Sequence, residues 1–136
     1  MYGSAQKYSI LIVEDEVSLR HALRDKFVRE GFVVFDAKDG QVGLSVALKE
    51  KPDLILLDMM MPKMDGMTML GSLRQSCEWG QSAPVLLLTN LGSDDKVAMK
   101  EITEDSCAQY LVKSNWPMSE LVQKVRDTIA DASTKQ

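Results

Sequence analysis

The stretch Asp53-Leu54-Ile55-Leu56-Leu57-Asp58-Met59-Met60-Met61-Pro62 decides how this chain folds. Residues 54–57 are apolar without alternation and too few for a helix. A strand with one wet face alternates apolar and polar residues, whereas a strand covered on both faces does not. Residues 54–57 therefore read as a strand inside a parallel sheet. The same pattern recurs at 10–13 and 85–88. Working outward, the predicted strands are 8–13, 32–37, 53–57, 85–88 and Gln109–Val112.

Helical patterns fill the gaps. Leu19, Leu23 and Phe27, with Ala22 beside them, mark 16–30, and Gly31 suits the position after a helix end. Val42, Val46 and Ala47 mark 39–50. Leu70, Leu73 and Cys77 mark one face of 66–77. Residues 93–104 carry a weak stripe of Val97, Ala98 and Ile102. Pro117 suits the first position of a helix over 117–131, striped by Met118, Leu121, Val122, Val125 and Ile129. Repeated strand–helix alternation implies an α/β class, with a doubly wound five-stranded parallel sheet, helices on both faces (three-layer αβα) and right-handed crossovers. One domain, 8–131, is expected between tails at 1–7 and 132–136.

Composition narrows the function. With 136 residues, 45% hydrophobic and 26% charged, the chain is an ordinary globular domain. A net charge of −4 argues against direct nucleic-acid binding. No apolar run approaches the ~20 residues that a membrane span needs, and no signal peptide is visible. Two cysteines, Cys77 and Cys107, provide neither a disulfide framework nor a metal-ligand spacing, so a reducing cytoplasm is the expected location.

In sheets of this kind the ligand lies beyond the carboxyl ends of the strands. Residues 10–13 are followed by Glu14-Asp15-Glu16, 54–57 by Asp58, 85–88 by Thr89, and the last strand by Lys113. Each has an ordinary reading: Asp15 and Asp65 suit helix caps, Thr89 a turn, Lys113 a surface position. Their joint placement at successive strand ends points instead to one site. Carboxylates gathered there repel unless a cation neutralises them. Oxygen ligands and waters suit Mg²⁺, which commonly pairs with phosphate. Lys113 and Thr89 would add a positive charge and a donor. Together these groups form a receptor for a phosphoryl group around a nucleophilic Asp.

These residues resemble the receiver domain of two-component response regulators. The likeness rests on Ile10-Leu11-Ile12-Val13-Glu14-Asp15, the segment from Asp53 to Gly66, Pro84-Val85-Leu86-Leu87-Leu88-Thr89 and Tyr110-Leu111-Val112-Lys113, and spans about residues 8–130. It implies the flavodoxin-like strand order 2-1-3-4-5. It implies Mg²⁺-dependent acceptance of a phosphoryl group on Asp58 from a histidine kinase or phosphotransfer protein. Asp15 then matches a direct metal ligand, Glu14 a ligand through water, and the Met60 backbone carbonyl a third protein ligand. Thr89 and Lys113 match the groups that hold phosphoryl oxygens, and Tyr110 the aromatic switch that follows Thr89. The output expected is a change in the face formed by the fourth predicted helix (93–104), the fifth strand and the last helix. A downstream protein or a second copy would bind there, through residues 93–131. The chain is then a switch with slow self-dephosphorylation rather than an enzyme.

Several positions depart from the family pattern. Ser114 follows Lys113 where proline is usual, and a trans bond is expected because a non-proline cis bond costs about 2.5–4 kcal/mol. Asn90 follows Thr89 where a small residue is usual. Met60 and Leu91 are apolar and cannot position an attacking water. Ser106-Cys107 replaces a Gly-Ala pair, and Cys107 reads as buried filler. A phosphatase with an Asp nucleophile would need an acid where Met60 stands. A flavodoxin-type cofactor site would need a Ser/Thr/Gly-rich loop where Glu14-Asp15-Glu16 stands. His21 reads as a surface residue. Trp79 and Trp116 read as loop residues. Six of the nine methionines fall in 59–69 and read as adaptable filler. The sequence ends about five residues past the last predicted helix, which fits a single-domain regulator or a receiver cut from a longer protein.

Overall fold

The computed structural model describes residues 7–59, 66–89, 109–112 and 117–134. The elements run β1 (Ser9–Val13), α1 (Val17–Arg29), β2 (Val33–Ala37), α2 (Gly40–Glu50), β3 (Leu54–Asp58), α3 (Gly66–Ser76), α4 (Glu78–Ser82), β4 (Val85–Thr89), β5 (Gln109–Val112) and α5 (Met118–Thr134). The predicted helix over 93–104 lies outside the described residues. So do Met60, Asp65, Asn90, Leu91, Cys107, Lys113, Ser114 and Trp116.

All strand pairings are parallel. Four strands form the body of the sheet in the order β2-β1-β3-β4, and β5 pairs along the outer side of β4. This is a flavodoxin-like α/β arrangement. Successive side chains of a strand point to opposite faces, and here each face has its own core. Leu11, Val13, Ile55, Leu57, Val85 and Leu87 pack with Ala47 of α2 and with Met69, Leu70 and Leu73 of α3. Ile10, Ile12, Leu54, Leu56, Leu86 and Leu88 pack with Leu23 and Phe27 of α1 and with Leu121, Val122, Val125 and Ile129 of α5. Burial on both sides is why these strands carry unbroken apolar runs. Among the described residues, no helix is long and apolar enough to cross a membrane.

Local signals explain most boundaries. Asp39 caps α2 by accepting from the Val42 amide at 2.9 Å. Gly31 follows α1 with φ +93°, where a side chain would be strained. Pro117 precedes α5 directly, and its carbonyl accepts from the Glu120 amide at 3.0 Å and the Leu121 amide at 3.2 Å.

Some expectations need correction. Trp79 is not in a loop but in the short helix α4, where it packs half-buried against the α2/α3 core. Cys77 does not extend the buried face of α3; it is exposed and caps α4, its sulfur accepting from the Gly80 amide at 3.4 Å. A local cap there outweighs continuation of the helical stripe. Asp15 does not cap α1, whose N-cap is Glu16 without a side-chain cap bond. Ala22 and Val42 are exposed, so the buried stripes of α1 and α2 are narrower than their apolar residues suggested. The last helix continues to Thr134, past the bound expected at 131.

Candidate functional site

Register brings the acidic residues together. β1 and β3 are neighbours, paired Ile10 to Leu54 through Val13 to Leu57. One residue further along each strand stand Glu14 and Asp58. Both are buried, at 1% and 2% exposure, while Asp15 is exposed. One carboxylate oxygen from each of Glu14, Asp15 and Asp58 lies within 4.8 Å of the others.

The backbone around the cluster is tied down. The Glu14 amide donates to the Ala37 carbonyl at 3.1 Å, carrying the β1–β2 ladder one step past the strand end. The Glu16 amide donates to Glu14 Oε2 at 3.2 Å, which orients one carboxylate oxygen. On the other side the Met59 amide donates to the Leu88 carbonyl at 3.0 Å, and the Gly66 amide donates to the Met59 carbonyl at 3.1 Å. Asp58 thus projects from a strand end held by β4 and by the start of α3.

Three carboxylates this close, two of them buried, favour a positive charge between them. The donor set is all oxygen, with no imidazole or thiolate in the cluster. One exposed ligand leaves a water-accessible side. Those features fit a hard divalent cation that keeps part of its water shell, and they do not suit Zn²⁺ or copper.

The remaining predicted residues fall as follows. Thr89 ends β4, one step past Leu88, the residue paired with Asp58. Thr89 pairs in turn with Val112, and Tyr110 pairs with Leu87. The backbone therefore sets Thr89 at the same end of the sheet as Asp58. Lys113 and the Met60 carbonyl lie outside the described residues. His21 is exposed, as expected.

Arg20 is a site residue that no sequence pattern marked. Its Nη1 donates to the Glu14 carbonyl at 3.0 Å, and its Nε lies 3.4 Å from Asp36 Oδ2 on β2. Arg24 Nη1 also binds Asp36, at 2.9 Å. An arginine on the first turns of a helix reads as a surface residue; only the docking of α1 over β1 and β2 reveals its partners.

Comparison with known proteins gives a consistent answer. A family model described as the response regulator receiver domain matches residues 10–126. The chain is 37% identical over 128 residues to the "Probable transcriptional regulator ycf27" of Pyropia yezoensis, covering 93% of this chain and 49% of that protein. It is 38% identical over 127 residues to the "Transcriptional regulatory protein PcoR" of Escherichia coli, covering 93% of this chain and 53% of that one. The chain thus spans about half the length of the curated relatives it matches. Among solved structures, the chemotaxis protein CheY4 of Vibrio cholerae superposes with a TM-score of 0.79 at 27% identity, covering 90% of this chain and 99% of that one. The BeF3-activated N-terminal receiver domain of Klebsiella pneumoniae RstA superposes at 0.75 with 30% identity, covering 89% and 97%.

Proposed function

The chain belongs to the family of response regulator receiver domains, a signalling family, and from that membership we propose that Asp58 is its phosphoryl acceptor and that Mg²⁺ is its metal. The observation that carries this reading is the convergence of Glu14, Asp15 and Asp58 at the ends of two adjacent strands. Asp15 would ligate Mg²⁺ directly, Glu14 through water, with Asp58 and the Met60 carbonyl completing the protein's share. Bound there, Mg²⁺ would neutralise the carboxylates and the charge of an incoming phosphoryl group.

The donor is a histidine kinase or a phosphotransfer protein. An Asp58 carboxylate oxygen attacks the phosphorus of phosphohistidine. The P–N bond breaks, and the imidazole leaves with its electron pair. Burial of Asp58 at the end of β3 fixes its carboxylate for in-line attack, so positioning supplies much of the rate. Thr89 and Lys113 hold the transferred oxygens, and Tyr110 follows Thr89. The output face includes residues 93–131, where a protein target or a second copy docks. An acidic domain of this kind acts through proteins in the cytoplasm rather than by direct contact with nucleic acid.

Acetyl phosphate with Mg²⁺ tests the assignment. The wild-type chain should gain one phosphoryl mass, and Asp58→Asn should gain none while keeping its fold by circular dichroism. A base-labile phosphoryl group on Asp58→Asn would move the acceptor elsewhere.

A further inference from the structure

We propose that Arg20 is a positioning residue for the metal site, holding the Glu14–Asp15 turn in its ligating geometry through the Glu14 carbonyl. The inference rests on the Mg²⁺ reading above. Two of the three carboxylates come from consecutive residues just past β1, so the path of this short segment sets where both point. Its amide side is fixed by the bond from Glu14 to Ala37. Its carbonyl side is fixed by Arg20 Nη1, at 3.0 Å from the Glu14 carbonyl. Arg20 is itself held by Asp36, at 3.4 Å from its Nε, and its side chain is only 14% exposed.

The guanidinium therefore spans two elements with two different nitrogens. One contact reaches the turn that carries the ligands, and the other reaches β2, the neighbour of β1. Lysine has one terminal nitrogen and no fork, so it cannot hold both partners in this geometry. Arg24 shares Asp36 but has no contact described with Glu14, which makes it an internal control.

The charge of Arg20 makes the test sharp. A cation beside a metal site opposes a second cation, so a purely electrostatic role predicts that its removal tightens Mg²⁺ binding. A positioning role predicts the reverse. Residues that orient metal ligands from outside the ligand set typically contribute ten- to hundredfold in affinity, and about tenfold is expected here.

The experiment is an amide NMR titration of Mg²⁺ into the wild type, Arg20→Gln, Arg20→Lys, Arg24→Gln and Asp15→Asn, with a thermal melt of each. Arg20→Gln and Arg20→Lys should each bind Mg²⁺ about tenfold more weakly, with Arg24→Gln near wild type. In metal-free buffer, the amides of residues 14–16 should shift in both Arg20 variants and not in Arg24→Gln. Unchanged or tighter binding in Arg20→Gln overturns the proposal, as does an equal loss in Arg24→Gln. If Arg20→Gln fails to fold, Arg20→Lys decides alone: wild-type affinity there overturns it. Failure of the wild type itself to bind millimolar Mg²⁺, or indifference to Asp15→Asn, would instead remove the metal reading beneath it.

Discussion

The backbone carbonyl of Asp58 lies 2.5 Å from where a Cβ on Gly66 would stand, and the Met59 Cα lies 2.7 Å from the same point. Helix α3 therefore begins in direct contact with the strand end that presents Asp58. Both neighbours are backbone atoms, which cannot swing aside as a flexible side chain would.

Gly66→Ala should accordingly destabilise the domain by about 1–3 kcal/mol, the usual range for overpacking, and should also impair phosphorylation. Gly71, in the same helix, has nothing within 4 Å of its Cβ position. Gly71→Ala should stabilise by roughly 0.5–1 kcal/mol through helix propensity. Urea unfolding of the two variants gives opposite signs if the contact at Gly66 is the constraint.

The clustered carboxylates set a second expectation. In metal-free buffer, Asp58→Asn should raise stability, because one of three converging negative charges is removed. Added Mg²⁺ should raise the melting temperature of the wild type, by an amount equivalent to about 2.7 kcal/mol at a hundredfold excess over Kd, and much less in the variant. Thermal melts in EDTA and in Mg²⁺ check both signs. Equal Mg²⁺ stabilisation of the two proteins would remove Asp58 from the ligand set.

Arg126 links α5 to the turn after α1. Its Nη2 donates to the Glu30 carbonyl at 2.9 Å and to Glu30 Oε1 at 3.2 Å, and its guanidinium carbon sits 5.6 Å from the Phe32 ring centroid. The side chain is 41% exposed, so the ion pair itself contributes little. The carbonyl bond and the ring contact carry most of the effect. Arg126→Ala should cost about 1–2 kcal/mol, and Arg126→Lys should recover less than half, because the planar contact with Phe32 is lost. Chemical denaturation measures it, and raising salt should change the loss only slightly.

Cys77 carries a pH dependence. The Gly80 amide and the Ser76 hydroxyl both favour its thiolate, so its pKa is lowered from the ordinary thiol value. A lowered folded-state pKa means that the thiolate contacts stabilise the fold above the unfolded thiol's pKa, and that this contribution fades as pH falls through the folded value. Alkylation at Cys77, followed by peptide mass spectrometry, should reach its half-maximal rate at lower pH in the folded chain than in the urea-unfolded chain. Ser76→Ala should move that midpoint upward. Coincident folded and unfolded profiles would contradict the cap geometry.

Much of this protein was legible before folding. Residues 10–13 and 54–57 are apolar runs of equal length, each ending in a carboxylate. Because neighbouring parallel strands here pair from Ile10–Leu54 to Val13–Leu57, equal runs put Glu14 beside Asp58. Parallel class and acidic cluster thus follow from patterns local to short segments. Contacts between segments distant in sequence did not follow. Arg20 reads as one more helix-surface arginine until α1 lies across β1 and β2 and brings it to Glu14 and Asp36. Arg126 reaches Glu30 across 96 residues. Cys77 fits the apolar stripe of α3 by spacing, yet it faces solvent because the chain turns there into α4. Periodicity reports which face of an element is buried; it does not say which long polar side chain meets which backbone group. That choice depends on how helices dock on the sheet, and only the tertiary structure makes it.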